Sequence, residues 1–236
     1  EVSLLFFHHA QDNIVSSALL IASHDRIVAR FLDILPGLIK HLAIGAPGGE
    51  LLANRLAIAV IIVLTALVAV TFRHYGATFD EAVQDDYGNY ILDWYRTRGA
   101  DRNAVSYLDL FYYGGLFDTV AALLNKVSPF KHYETRHLLN GLVGVLGLIG
   151  CWRLGCRLGG AVVGLLALVA LALMPSWYGM MFINPKDIPF ATAMVWGTLV
   201  LTQLVCELDA PRWRTVIALG LVTGIALGIR IGAILL

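Results

Sequence analysis

The sequence predicts an all-α protein, a polytopic membrane bundle of about five spanning helices. Hydrophobic residues make up 58% of the 236-residue chain and charged residues only 14%, whereas a typical soluble domain is about half apolar and about a quarter charged. The apolar residues also fall in blocks close to the roughly 20 residues that a helix needs to cross a bilayer. The net charge is zero, which gives no electrostatic basis for nucleic-acid binding.

The first 50 residues are predicted to form a helical tail, either cytoplasmic or interfacial. Apolar residues recur at helical spacing between positions 27 and 35, and the Gly- and Pro-rich stretch 45–49 ends the segment. Residues 51–236 are predicted to form the membrane domain. The chain stops while it is still apolar, which suggests a piece of a longer protein.

Five apolar runs predict the spans, at residues 56–72, 137–152, 158–174, 188–206 and 215–236. Glycines at three- or four-residue spacing on the second and fifth spans predict close helix packing in lipid. They are Gly141, Gly144, Gly147 and Gly150 on the second span, and Gly220, Gly224, Gly228 and Gly232 on the fifth.

Arginines predict the orientation of the spans. They flank one side of the predicted bundle, at Arg55, Arg153, Arg157, Arg212 and Arg214, whereas the short loop 176–187 on the other side has a single lysine. The positive-inside rule makes the arginine side cytoplasmic. The long loop 73–136 and the loop 176–187 are then both extracytoplasmic. The three cysteines lie near cytoplasmic ends of spans, which predicts reduced thiols.

The long loop is predicted to contain two amphipathic helices. Aromatic and apolar residues recur at helical spacing between positions 79 and 94, which is typical of a helix lying in the membrane interface. A second such helix is predicted over residues 116–127. A surface helix without further function would explain the aromatic residues, but not the carboxylates that open the segment.

Acidic residues in both outer loops are candidates for catalysis. Asp80 and Glu81 follow the first span closely, and a carboxylate at such a position is suited to act as a general base that removes a proton from an attacking hydroxyl group. Asp187 opens the fourth span, where it acts either as a stabilising acid at a helix N-terminus or as a second acid facing Asp80. Carboxylates that face one another are also oxygen ligands for a divalent metal ion, which leaves metal use open.

Basic residues on the same side are candidates for binding a phosphate. At about 1.5 Å per residue, Arg230 lies roughly 22 Å from the start of the fifth span, near the outer boundary. Arginine at this depth is either functional or snorkels to the interface, and its fork suits a phosphate. Lys186, Arg136 and Lys131 are further candidates.

Four short stretches together resemble a known family. They are 79–81 (Phe-Asp-Glu), 113–118 (Tyr-Gly-Gly-Leu-Phe-Asp), 134–137 (Glu-Thr-Arg-His) and 184–189 (Asn-Pro-Lys-Asp-Ile-Pro). With the first span, they resemble polyprenyl-phosphate-dependent glycosyltransferases of the GT-C superfold over about residues 52–236. The similarity is to dolichyl-phosphate-mannose protein mannosyltransferases and the lipid A aminoarabinose transferase.

The resemblance implies an inverting transfer on the extracytoplasmic face of a cell (inner) membrane. It implies Asp80 as the catalytic carboxylate, Asp187 as the second acidic position, and a polyprenyl-phosphate-linked sugar as donor. The acceptor class would be a lipid, a glycan or a protein. Family members have more spans than the five predicted here, and residues 1–50 match none of the family's features.

Two other functions are weighed against a glycosyltransferase. A transporter fragment would place ionisable residues near mid-membrane and would not need a large outer loop, and the sequence has the opposite arrangement. A non-catalytic assembly subunit would pack through its glycine-rich spans and tolerate replacement of its outer acids by amides.

Overall fold

The computed structural model describes residues 47–235, and in this range the chain forms α- and 3-10 helices and no strand. The predicted tail therefore lies almost entirely outside the described residues. The α-helices are α1 (Pro47–Thr71), α2 (Phe79–Arg96), α3 (Leu116–Asn125), α4 (His132–Ala172), α5 (Pro175–Ile183), α6 (Asp187–Val205) and α7 (Trp213–Ile229). Short 3-10 helices occupy Phe72–His74, Asn103–Val105, Leu110–Tyr112 and Ile231–Leu235. The predicted all-α membrane bundle is confirmed.

Three of the described helical segments are long and apolar enough to cross a membrane: Gly48–His74, His132–Ala172 and Asp187–Val205. The first and last correspond to the predicted first and fourth spans. The helix in place of the fifth predicted span, α7, has 17 residues. It ends because the backbone at Arg230 is extended, with φ −149° and ψ 137°, so the predicted continuous span 215–236 is wrong at its end.

Helix α4 contains the predicted second and third spans as two antiparallel halves. Gly159 and Gly160 leave helical geometry in its middle, and Gly160 has φ 83°, a value that glycine adopts without strain. Beyond this turn the chain returns along itself. A Cβ built on Gly155 would lie 2.8 Å from the Cα of Gly164, and Cys151 Sγ lies 3.7 Å from the carbonyl oxygen of Ala167.

The third span continues through α5. The returning half of α4 ends at Ala172, and a helix over 161–172 alone would rise roughly 18 Å, less than the about 30 Å of a bilayer core. Helix α5 then follows the first half of α4, with Trp177 beside Gly147 and Met181 beside Gly144. The prediction of a loop over 176–187 is therefore wrong. Pro175 starts a new helix, because proline is well tolerated in the first helical turn.

The glycines of the second span pack as predicted. A Cβ on Gly141, Gly144, Gly147 or Gly150 would lie 2.5–2.9 Å from Val68, Met181, Trp177 or Trp196, respectively. The predicted ridge on the fifth span holds only in part: a Cβ on Gly228 would lie 3.2 Å from Leu116 Cβ, whereas Gly220 and Gly224 have no described atom within 4 Å of an added Cβ. Helix α7 also packs through another side, where fully buried Ala226 joins Ala193 of α6.

The two outer-loop helices pack on each other. A Cβ on Gly88 of α2 would lie 2.4 Å from the carbonyl oxygen of Asp118 in α3, and one on Gly115 would lie 2.2 Å from Ile91 Cδ1. Tyr87, on the predicted membrane-facing side of α2, is only 5% exposed. That side of α2 therefore faces protein in part, because α3 offers it an apolar partner surface.

Candidate active site

Asp80 is held by a reciprocal cap at the start of α2. The Thr78 backbone N–H donates to Glu81 Oε2 at 2.7 Å, and the Thr78 side chain in turn caps the third residue of the helix. This capping box satisfies backbone donors that the first helical turn would otherwise leave unpaired. It fixes Asp80 in that turn with its side chain exposed.

A pocket of about 250 Å³ joins Asp80 to the turn between α5 and α6. Its walls come from both regions, namely Thr78, Asp80, Gln84, Met180, Ile183, Asn184 and Pro185. The Thr78 hydroxyl also lies 3.5 Å from the carbonyl oxygen of Ile183. The stretches 79–81 and 184–189 are therefore neighbours in space, although Asp187 itself does not line this pocket.

Asn184 shapes the turn that carries Lys186 and Asp187. Its Oδ1 accepts the backbone N–H of Asp187 at 2.8 Å and of Lys186 at 3.2 Å. Its Nδ2 donates to Asp187 Oδ2 at 2.9 Å. The other Asp187 oxygen, Oδ1, lies 2.8 Å from Arg230 Nη1. The structure thus brings together Asp187 and Arg230, two of the predicted site residues from separate spans.

Lys186 is the charged group on which the other site residues converge. Burial lowers the pKa of its ammonium, and the positive charge of Arg230 lowers this pKa further. The negative charges of Asp118, which acts most strongly, and of Asp80 and Asp187 raise it. The Nζ atom lies 4.9 Å from the centre of the Tyr113 ring, within cation–π range. Lys186 is therefore close enough to both predicted catalytic aspartates and to the predicted arginine for their charges to shift its pKa.

Gly114 allows a close backbone contact next to Tyr113, the residue whose ring lies against Lys186. A Cβ on Gly114 would lie 2.0 Å from the carbonyl oxygen of Gly228 in the last turn of α7. Only glycine permits this approach, because any other side chain would collide with backbone atoms. The outer loop is thereby joined to the end of α7 just before Arg230. Sequence reasoning missed this contact, whose only signal was the Gly-Gly pair within the stretch 113–118.

Glu81 faces the protein interior. Its Oε1 lies 3.0 Å from His137 Nε2, and both side chains are 1% exposed. Within the described residues, neither ring nitrogen of His137 makes a hydrogen bond of acceptable geometry, so the approach of Nε2 to Glu81 is a close polar contact. Glu81 thus combines the helix cap with a buried contact to α4, which fixes the start of α2 against the membrane bundle.

Arg136 forms the centre of a buried charge network. It is 1% exposed, and its Nη2 lies 2.7 Å from Asp118 Oδ1 while its Nη1 lies 3.3 Å from Asp85 Oδ1. His132 Nε2 lies 2.6 Å from Asp85 Oδ2. Burial raises the pKa of Asp118 to about 6, against the opposing charge of Arg136. Arg136 therefore contacts protein carboxylates, and the sequence pattern gave no signal for the roles of Asp85, Asp118 and His132 in this network.

Lys131 lies apart from these groups. Its side chain is exposed at the beginning of α4, and its backbone N–H donates to Glu134 Oε2 at 3.3 Å. Among residues 47–235, no group of three or more His, Cys, Asp or Glu side chains is arranged to hold a metal ion.

Comparison with known proteins identifies a family. Residues 116–236, just over half of the chain, match the family described as dolichyl-phosphate-mannose-protein mannosyltransferase. The matched region includes Lys186, Asp187 and Arg230 and begins after Asp80 and Glu81. No curated protein matches the chain, and no solved structure matches it. The chain belongs to the dolichyl-phosphate-mannose-protein mannosyltransferase family, a family of multi-pass membrane glycosyltransferases of the mannosyltransferase type.

Proposed function

We propose that the protein transfers a sugar from a polyprenyl-phosphate donor to an acceptor hydroxyl on the extracytoplasmic face, with inversion at the anomeric carbon. The observation that carries this proposal is the position of Asp80. Its exposed carboxylate lines a pocket beside the turn that carries Lys186 and Asp187, and Asp187 Oδ1 lies 2.8 Å from Arg230 Nη1. A base and two cations are therefore gathered where the outer loop meets the membrane bundle.

The proposed reaction is a single displacement. Asp80 takes the proton of the acceptor hydroxyl, whose oxygen attacks the anomeric carbon of the donor sugar. The bond between that carbon and the phosphate oxygen breaks, and the polyprenyl phosphate leaves with the electron pair. Lys186 and Arg230 stabilise the negative charge that develops on the leaving phosphate. Asp187 orients Arg230 through the 2.8 Å contact.

Two of the predicted site residues act as positioning groups in this proposal. Glu81 fixes the first turn of α2, and with it Asp80, through the Thr78 cap and the His137 contact. Arg136 holds α2 through Asp85 and α3 through Asp118. Lys131 is retained only as a peripheral cation at the exposed start of α4.

We expect the site to face the outside of the cell. A cysteine that replaces exposed Ala77, in a variant whose native cysteines are replaced by serine, should react with a membrane-impermeant maleimide in intact cells. Restoring only the exposed Cys206, which follows α6 at the opposite end, should give labelling after permeabilisation alone. Labelling of position 77 only in broken cells would contradict the proposed face and the use of an extracytoplasmic donor.

The donor-binding role of Lys186 gives a kinetic prediction. Lys186→Gln should raise the donor KM roughly 10- to 100-fold, because a charged hydrogen bond contributes about 1.5–3 kcal/mol. The measurement is transfer of radiolabelled mannose from polyprenyl phosphate by membranes that contain the full-length protein. Lys126→Gln, at the exposed end of α3, is the matched control and should leave the KM unchanged. An unchanged KM in Lys186→Gln would remove Lys186 from donor binding, and no transfer by the wild-type protein would overturn the proposed donor.

A further inference from the structure

A second, larger cavity lies in the outer loop, apart from the Asp80 pocket. It encloses about 490 Å³ between the C-terminal half of α2, the segment 104–111 and the start of α3. Four aromatic side chains line it: Tyr87, Trp94, Tyr95 and Phe111. Its volume lies within the roughly 300–1,000 Å³ typical of small-molecule sites, which are mostly apolar and aromatic with a few polar groups.

The aromatic walls are held in place by the backbone around them. The chain turns back after α2 at Gly99, which has φ 87°, and a Cβ there would lie 3.5 Å from Trp94 Nε1. The Trp94 and Tyr95 rings meet edge to face with their centres 5.0 Å apart. Tyr95 is 66% and Phe111 42% exposed, so these rings are available to a ligand.

The chemistry of the lining selects a neutral ligand with one apolar side. No acidic or basic side chain lines this cavity, so it offers nothing to balance a phosphate. Aromatic faces carry negative charge density and pack well against polarised C–H groups. Polar groups come from the tyrosine hydroxyls and from Thr119, whose hydroxyl donates to the carbonyl oxygen of Gly115 at 2.7 Å and retains an acceptor site. A pyranose ring has this combination of an axial C–H face and a rim of hydroxyls.

The cavity borders backbone segments that also carry groups of the proposed phosphate site. Gly114 and Gly228 both line it, and each is close in the chain to a charged part of that site. Tyr113, next to Gly114, lies over Lys186, and Arg230 follows Gly228 by two residues. A ligand with a neutral ring in the cavity and an anionic group beyond Gly114 would therefore meet complementary surroundings at both ends.

We infer that this aromatic cavity binds a neutral pyranose ring of a substrate. The ring belongs either to the sugar of the donor or to a glycan acceptor, which share this chemistry. The inference rests on the proposed function, because it assumes that a sugar reaches this part of the outer loop. Trp94 and Phe111 supply stacking surfaces, and the hydroxyls of Tyr95 and Thr119 contact the rim of the ring.

Binding is measured by saturation-transfer difference NMR with methyl α-D-mannopyranoside as probe. The full-length protein is placed in phosphatidylcholine nanodiscs without any sugar-containing detergent. We expect transfer to the ring protons of the probe, and none to mannitol, an open-chain polyol of similar polarity. Trp94→Ala should weaken binding roughly two- to tenfold, and Trp94→Phe should keep part of it. Trp213→Ala, at an exposed tryptophan on α7, should bind like the wild type.

The outcomes separate this inference from the proposed reaction. Displacement of the probe by polyprenyl-phosphate mannose identifies the ring as the donor sugar, and retention of the probe identifies it as an acceptor sugar. Asp80→Asn should bind the probe normally although it loses enzymatic sugar transfer. A loss of sugar transfer by itself therefore leaves the binding result interpretable. Absence of NMR saturation transfer to the probe, or equal saturation transfer in Trp94→Ala and the wild type, would overturn the inference. A lipid chain would then be the better occupant of the cavity.

Discussion

Replacing Asp80 with asparagine is expected to lower kcat for sugar transfer about 10²- to 10⁴-fold. The amide has nearly the same shape as the carboxylate but cannot take a proton from the acceptor, and a positioned general base contributes a factor of this size. The Asp80 side chain is exposed and makes no hydrogen bond to the rest of residues 47–235. The substitution should therefore leave the fold and the donor KM close to those of the wild type. Initial rates over a range of donor concentrations provide the measurement.

Two neighbours of Asp80 serve as controls. Asp86 lies on the same helix, is exposed, and accepts a hydrogen bond from the Tyr107 hydroxyl at 3.2 Å, so Asp86→Asn should retain full activity. Glu81→Gln should act differently from both, because it weakens the helix cap and the His137 contact and so lowers stability along with activity. Wild-type kcat in Asp80→Asn would remove Asp80 as the base.

Local patterns were enough to predict most of the helices. The apolar blocks predicted the C-terminal end of α1 and both ends of α6 to within a few residues. The spacing of small residues on the second span predicted which face of that helix packs against its neighbours. The predictions failed where local pattern and tertiary packing differ. Residues 176–183 look like a loop because Pro175 precedes them, yet they complete a span that the returning half of α4 is too short to finish.

The site was predicted as a set of residue types rather than as a set of contacts. Charge and depth in the span were enough to predict that Asp187 and Arg230 lie on the same side of the bundle, and the structure adds the contact between them. The same reasoning treated Arg136 as a phosphate contact, because a sequence gives no measure of which cations have carboxylate partners inside the protein. Asp85 and Asp118 lie 51 and 18 positions away from Arg136, and only the packing of α2 on α3 brings them to it.

Replacing Arg136 with methionine is expected to destabilise the protein by about 3–5 kcal/mol, the usual cost of removing one partner from a buried ion pair. Arg136 is 1% exposed and neutralises two carboxylates on different helices. Its loss would leave Asp118, which has 2% exposure, without its direct ion-pair partner and with only the charge of Lys186 to oppose its own. At this chain length the change corresponds to a decrease of roughly 6–20 °C in the apparent Tm, measured by thermal unfolding in nanodiscs.

Arg73→Met is the matched control. Arg73 lies 3.8 Å from Glu134, but its side chain is 56% exposed, and exposed ion pairs contribute only about 0–1 kcal/mol. The Tm of the Arg73→Met variant should therefore stay within a few degrees of the wild-type Tm. The double variant Arg136→Met with Asp118→Asn should be less destabilised than the sum of the two single variants, because the amide removes the charge that Arg136 would have neutralised. Additive effects would show that Arg136 acts through packing alone.

The cost of removing Arg136 should also depend on pH, through Asp118. Burial raises its pKa in the folded protein to about 6 from an ordinary value of 3.8. The folded state therefore holds the proton more tightly than the unfolded state, and ionisation penalises folding increasingly as pH rises from about 4 through 6. Arg136 opposes this penalty, so the difference in Tm between wild type and Arg136→Met should be larger at pH 8 than at pH 5. A difference that is equal at both pH values would mean that the Asp118 carboxylate is not the group that needs the guanidinium.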